Sequence, residues 1–509
     1  MAVRRGACPS CGATIEFRSA GSVQTVCEFC KSILVRNDLD LTKVGEVAEL
    51  PPIVSPIQIR TEGTFRGRGF IVLGRIVYEW EDGGWNEWHI VFNDGRSGWL
   101  SDAQAEYAIS IQVQTPADLP PEGTLYPGAA FSVGGQNLTV TTRTHARYVG
   151  VEGELPFQYW DKNEVLFIDL RSSDQRFATI DYSEQPPLCF VGETVELPDL
   201  RLTNLRDLTV DLKKGPQALV CPNCGAGVEK KLGQQSASMV CTQCLAVLDS
   251  SVGALKVLQT IKAKERVRPQ IPLGTKGKLQ GDVYETCGFQ VRTIEVEGEK
   301  YSWEEYLLFN AMKGFRYLSC YNGHWNDIKP VSRLPELSGE ARRFSWMGQR
   351  FQLFQRSQAK TTYVWGEFPW RVKVGETVAI DDYVSPPLLL SREKTNNETS
   401  WSVGEYTPGP KIWEAFGLTG QAPAPVGVFA NQPSPFRNRL GSIWAMAAMT
   451  VMALIAVIVF AVLFTARDEV FSRDHGRSER RGATVPRPSF VTPVFDLRGE
   501  TRTSRSVSR

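Results

Sequence analysis

Four cysteines in two Cys-x-x-Cys pairs return as a complete set 213 or 214 residues further on, and no other feature of the chain limits its fold so tightly. Cys8, Cys11, Cys27 and Cys30 become Cys221, Cys224, Cys241 and Cys244, with 15 residues between the pairs in the first copy and 16 in the second. A spacing of this kind lets four thiolates converge on one ion in tetrahedral geometry, as in a zinc ribbon. Two structural Zn2+ ions are therefore expected, with an iron ion in the same thiolate set as the alternative. All four positions of each ion would be filled by sulfur, leaving none for a substrate or an activated water. Gly12 and Gly225 follow the second cysteine of each first pair, where a tight turn is expected and a side chain would be in the way.

The repeat runs well past the cysteines. Gly63 and Gly67 return as Gly277 and Gly281, and Gly153-Glu154-Leu155-Pro156-Phe157 as Gly366-Glu367-Phe368-Pro369-Trp370. The segment Trp85 to Asn93 aligns with Ser302 to Asn310, pairing Glu87 with Glu304 and His89 with Tyr306. Asp181-Tyr182 and Pro186-Pro187-Leu188 align with Asp382-Tyr383 and Pro386-Pro387-Leu388. The chain is thus two copies of one unit, a four-cysteine ribbon followed by a larger module.

The larger modules read as β. Phe70 to Trp80, Glu87 to Phe92 and Ser97 to Leu100 alternate around the turn signals Asp82-Gly83-Gly84 and Asn93-Asp94-Gly95, and further short strands follow to Asp181. Helical spacing is confined to Ser101 to Tyr107 and Ile412 to Phe416. The expected fold is mainly β: a zinc ribbon at 1–36, a barrel-like module at 45–210, a second ribbon at 217–252 and a second module at 265–415. A Pro/Ala-rich linker is expected at 416–439, a transmembrane helix at 440–466 and a short tail at 467–509.

Catalytic patterns are scarce. The chain has four histidines, none in an HExxH arrangement, and no Walker A loop, GxSxG elbow or dinucleotide glycine fingerprint. None of Cys189, Cys287 and Cys320 has an obvious histidine partner nearby in sequence, His324 beside Cys320 falling in the turn-like Asn322-Gly323-His324-Trp325. The expectation is a protein without enzymatic activity. Trp85, Glu87, His89 and Trp99 cluster around one hairpin and form the candidate ligand pocket, against the alternative of ordinary core packing. Net charge is +1, so nucleic acid would need a local patch. Arg4, Arg5, Arg18, Lys31 and Arg36 around the first ribbon, with Lys213, Lys214, Lys230 and Lys231 around the second, offer one without interleaved aromatics.

From Ile443 to Phe464 the chain runs 22 residues without a charge, about 33 Å as a helix, enough to cross a bilayer. Trp444 is placed as an interfacial anchor. Arginines 467, 473, 477, 480 and 481 outnumber Arg437 and Arg439, which alone would put the tail in the cytoplasm. Eight metal-binding thiolates need a reducing compartment, and Met1 to Ala7 carries no apolar leader. The ribbons and modules are therefore expected in the cytoplasm. Phe490 to Leu497 reads as the opening of a strand, and the tail resembles a truncated extracytoplasmic domain.

Gly69-Phe70-Ile71-Val72-Leu73-Gly74-Arg75, Trp85-Asn86-Glu87-Trp88, Phe92-Asn93-Asp94-Gly95 and Gly98-Trp99-Leu100-Ser101 resemble the bacterial domain-of-unknown-function family DUF4178. The second copy resembles it less closely, with Tyr301-Ser302 aligned to Gly84-Trp85 and Arg316-Tyr317 to Gly98-Trp99. The resemblance implies single or tandem modules behind zinc ribbons, ahead of membrane helices, and a part in bacterial envelope stress. It brings no catalytic residue. The favoured function is a membrane-tethered adaptor that gathers cytoplasmic proteins. A small-ligand sensor or enzyme in the first module is the alternative, and nucleic-acid binding through the ribbons a third reading.

Overall fold

The computed structural model describes residues 4–37, 40–47, 55–158, 163–207, 217–232, 236–250, 255–260, 267–338, 342–434 and 440–474. Residues 4–434 belong to one compact unit and the C-terminal helix to another. In the first copy, eight antiparallel strands close on themselves. They are β1 (Arg68–Trp80), β2 (Gly83–Phe92), β3 (Ser97–Ala103), β4 (Glu106–Val113), β5 (Gln136–Leu155), β6 (Glu164–Arg171), β7 (Arg176–Asp181) and β8 (Leu188–Val195). Their ring order is β1-β2-β3-β4-β8-β7-β6-β5, with β5 pairing back onto β1. The stretch Ser101 to Tyr107 is not a helix. Gln104 and Ala105 adopt φ of 53° and 66°, which turns β3 directly into β4 and lets Tyr107 pair with Asp102.

Which face points inward is shown by Trp85 and Phe167, whose rings lie 5.5 Å apart although β2 and β6 are not neighbours. The outer faces are also buried. Trp88, Ile90, Leu100 and Ile109, each fully buried, pack beneath Ile57, Leu197 and Leu200, and Ile168, Ile180 and Cys189 pack beneath Leu125 and Val133. Each such aliphatic side chain contributes about 2 kcal/mol relative to exposure. Covering segments thus seal the outside of the barrel, while Ile76, Tyr78, Ala146, Tyr148 and Phe167 pack together inside it.

The second copy repeats the ring with β9 (Asp282–Val296), β10 (Glu299–Asn310), β11 (Gly314–Tyr321), β12 (His324–Pro330), β13 (Gln349–Phe368), β14 (Thr377–Ser385), β15 (Leu388–Lys394) and β16 (Thr399–Thr407). Helix α1 (Gly409–Phe416) covers it, ending on Gly417 at φ 60°. The ring of Phe416 lies where a Cβ at Gly277 would be, 2.5 Å away, and Phe70 and Leu202 crowd Gly63 in the same way. These repeated glycines mark where a covering side chain meets the barrel edge.

Register corrects five pairings expected from sequence. The first hairpin of the second barrel is two residues longer on each strand, 15 and 12 against 13 and 10. The bulge that sets Gly74 opposite His89 sets Gly288 opposite Leu307. Trp85 therefore corresponds to Trp303, Glu87 to Glu305 and not Glu304, and His89 to Leu307 and not Tyr306. Asp169, paired with Thr179, corresponds to Asp382, paired with Ser391, and Asp181 corresponds to Glu393. The Pro-Pro-Leu match is coincidental: Pro186-Pro187 leads into β8, whereas Pro386-Pro387 joins β14 to β15.

Each ribbon is welded to its barrel. Gln24–Val26 extends the end of β5, with Thr25 opposite Glu154, and Ser238–Val240 extends β13, with Met239 opposite Glu367. A Cβ at Gly153 would lie 2.2 Å from Leu73 O, and one at Gly366 2.4 Å from Cys287 O, so glycine permits the close crossing that starts each extension. Contacts also join the copies. Arg371 bonds Glu79 (3.0 Å), Asp249 (3.1 Å) and the carbonyls of Trp80 and Glu81, and Arg143 N donates to Asn397 O.

The Pro/Ala-rich stretch, expected as a linker, lies against the second barrel as far as Ser434. Asn431, fully buried, donates to Asn326 Oδ1 (2.7 Å) and Pro387 O (2.9 Å), and Phe429 stacks on His324 with ring centres 5.6 Å apart. In the second unit, helix α2 (Leu440–Asp474) contains Trp444–Leu463, a run long and apolar enough to cross a membrane. The expected strand at Phe490 to Leu497 lies outside the described residues.

Candidate functional site

The two cysteine sets are brought together as the spacing predicts. Cys8 and Cys30 Sγ are 3.7 Å apart, as are Cys11 and Cys27; Cys221 and Cys244 are 3.8 Å apart and Cys224 and Cys241 3.7 Å. Four sulfurs placed about 2.3 Å from a central ion at tetrahedral angles would be about 3.8 Å from one another. Each set therefore has the dimensions of a one-ion thiolate site. Gly12 and Gly225 are required for a reason other than crowding. A Cβ on either would meet nothing within 4 Å, but their φ of 74° and 76° lets each N–H bond back to the first cysteine's carbonyl. In the second knuckles Lys31 and Leu245 take the same left-handed turn.

Around the ribbons, several of the basic side chains are engaged, and Lys213 and Lys214 lie outside the described residues. Arg5 pairs with Glu16 at 2.9 Å, Arg36 donates to Ala20 O and lies over Phe17, and buried Lys230 donates to Ser250 O. A carboxylate from each barrel receives the ribbon backbone. Glu154 accepts from Arg18 N (3.0 Å), Ser19 N (3.2 Å) and Ser22 Oγ (2.7 Å), and Glu367 accepts from Lys231 N (2.7 Å) and Leu232 N (3.0 Å). The glutamates of the repeated Gly-Glu pair are docking residues, a role sequence reasoning missed although the repeat itself marked them.

The four side chains of the candidate pocket fall into two groups. Fully buried His89 sits at the seam, Nδ1 2.9 Å from Glu154 O and Nε2 3.1 Å from Ser97 Oγ, beside Trp99. Burial lowers its pKa to about 4, so the ring is neutral at physiological pH. Trp85 stacks on Tyr78 at 5.0 Å and donates to Glu87 at 3.0 Å. Cys189, Cys287 and Cys320 are buried, and burial raises each thiol's pKa, that of Cys320 to about 11. None is poised as a thiolate.

Residues 58–197 and 272–409, more than half of the chain, match the family described as domain of unknown function (DUF4178). The chain belongs to the DUF4178 family. No curated protein and no solved structure matches it. Each match covers one closed ring, so a DUF4178 domain here is an eight-stranded barrel. Three carboxylates occupy equivalent positions in both domains. In the second, Trp303 donates to Glu305 (2.6 Å) and Ser391 to Asp382 (2.7 Å), and Arg292 lies 2.5 Å from Glu393 and 3.6 Å from Glu305. In the first, Trp85 donates to Glu87 and Thr179 to Asp169 (2.6 Å), with Asp181 as the third acid. Arg292 lies opposite Trp303, and the residue opposite Trp85 is Tyr78. The first domain thus lacks the arginine. Burial raises Glu87 to about 8 and Asp181 to about 6, and it raises Asp169 as well.

Proposed function

We propose that this chain is a non-enzymatic scaffold held at a membrane by one helix, with each ribbon containing a structural Zn2+ ion. What carries this reading is continuity. Ribbon sheets run into barrel sheets, and Asn431 still docks the chain on the second barrel. A body so continuous, with closed thiolate sets and a neutral buried histidine, suits presentation of fixed surfaces better than turnover of a substrate.

The ribbons and barrels face the cytoplasm in this reading, because thiolate sites persist in a reducing compartment. Protein partners are the expected cargo. Phe29, 74% exposed on the knuckle of the first ribbon, is the natural contact to probe. A photocrosslinking residue there, in the full chain in native membranes, should give a discrete protein adduct. Protease added to right-side-out and inverted vesicles should remove residues 4–434 only from the cytoplasmic side. Absence of an adduct, or cleavage from the opposite side, would contradict the proposal.

A further inference from the structure

We propose that a basic hairpin of the second DUF4178 domain, formed by Arg343–Trp346 and the start of β13, is a membrane contact in its own right. Its arginines would sit on anionic phospholipid headgroups and Met347 among the acyl chains. From Ala341 to Gly366 the chain carries four arginines, one lysine and no acid. Phe344 pairs with Phe351 and Ser345 with Arg350. One face of the hairpin is fixed to the barrel, where Phe344 lies 4.9 Å from both Tyr383 and Trp401 between ring centres. By alternation Arg343 and Arg350 point away from that face. Both are exposed, as is Arg342, and no carboxylate among the described residues pairs with any of the three. The nearby acids are engaged elsewhere, Asp381 by Arg392 (3.1 Å) and Arg356 (3.5 Å), and Glu336 by Ser173 (2.7 Å). At the turn Met347 is 64% exposed, and Arg333 donates to its sulfur at 3.3 Å.

The first domain is the internal comparison. Its hairpin keeps the register, Phe131 opposite Leu138 and Val133 opposite Gln136, with Gly134-Gly135 where the second has Met347-Gly348. Ala129, Ala130 and Asn137 stand at the three arginine positions, and a Cβ at Gly134 would lie 3.0 Å from Val191. Charge and an apolar tip therefore belong only to the copy that precedes the apolar helix. Placement agrees. Gln352 pairs with Val384, next to the last residue of β14, so the hairpin lies at the end of the barrel that bears the β14–β15 turn. The chain passes this same end before α2, since Asn431 donates to Pro387 O in that turn (2.9 Å). Guanidinium groups bind phosphate oxygens bidentately, and clustered arginines are drawn to an anionic leaflet. The inference rests on the membrane-held scaffold proposed above.

The test places an environment-sensitive fluorescent amino acid at position 347 of the full chain, reconstituted in nanodiscs of brominated phosphatidylcholine with or without phosphatidylglycerol. Bromine should quench the probe at least about twofold more in the anionic discs, and about 0.5 M salt should remove the difference. A probe at exposed position 126 of the first domain should respond to neither lipid. Arg343→Glu combined with Arg350→Glu should cut the quenching at least about threefold, whereas exposed Glu122→Gln should leave it unchanged. Metal content and melting temperature establish that each variant is folded. If the charge reversal fails to fold, the salt dependence of the parent decides the matter. A probe left unquenched in chains that co-elute with anionic nanodiscs, or quenching indifferent to lipid charge, salt and charge reversal, would overturn the inference and leave the anchor standing. A chain that fails to enter nanodiscs would overturn both. Binding of a labelled single-stranded RNA that the charge reversal abolishes, without quenching by lipid, would overturn the inference in favour of nucleic acid.

Discussion

The guanidinium of Arg371, in the second copy, lies 3.0 Å from Glu79 of the first. The same group also meets Asp249 of the second ribbon and two carbonyls of the first barrel's hairpin, so one side chain joins three parts of the molecule. Arg371→Ala leaves buried Asp249 without this partner and should cost about 2–4 kcal/mol. Scanning calorimetry is expected to resolve two transitions where the parent gives one.

Glu154 and Glu367 hold the ribbons by accepting main-chain N–H groups that would otherwise be orphaned. Glu154→Ala should destabilise the first ribbon's docking by about 2–4 kcal/mol and Glu367→Ala the second's. Chelator competition should then release one metal ion per chain faster while the other keeps its parental rate.

Gly153 and Gly366, at φ 71° and 98°, lie against backbone carbonyls that cannot retreat. Gly153→Ala adds left-handed strain to a steric clash and should cost more than about 3 kcal/mol. Urea unfolding followed by tryptophan fluorescence would measure it.

Glu87 has a folded pKa raised to about 8. The folded state therefore binds the proton more tightly than the unfolded state. The associated stability is complete below the ordinary carboxyl value of about 4.3 and is lost as pH rises through about 8. Glu87→Gln should stabilise the protein at pH 9 by about 2 kcal/mol after allowance for partial solvent screening, and the difference should vanish near pH 4. Paired melting curves across that range provide the check.

The ribbons, the tandem barrels and the apolar helix were legible because each rests on local spacing or composition. What was not legible depends on register. Two extra residues in each strand of the β9–β10 hairpin shift the correspondence by four, so the partner of Glu87 is Glu305 while Glu304 looks equally suitable in sequence. The arginine of the second interior lies on β9 and its acids on β10 and β15, and only barrel closure brings them together. Alternation likewise could not separate a helix from a hairpin at Ser101 to Tyr107, since the outcome rests on two left-handed residues with no glycine to announce them. The stretch before α2 looked like free linker because its attachment uses isolated polar contacts, Asn431 above all, and no periodic apolar face.

The scaffold proposed above rests on one closed metal site in each ribbon. Metal content of the purified full chain by plasma mass spectrometry, with Cys27→Ser and Cys241→Ser variants, tests it most directly. Two zinc ions per parent chain and one in each variant are expected. Absence of bound zinc in the freshly purified, reduced protein, or two ions retained in both variants, would contradict it.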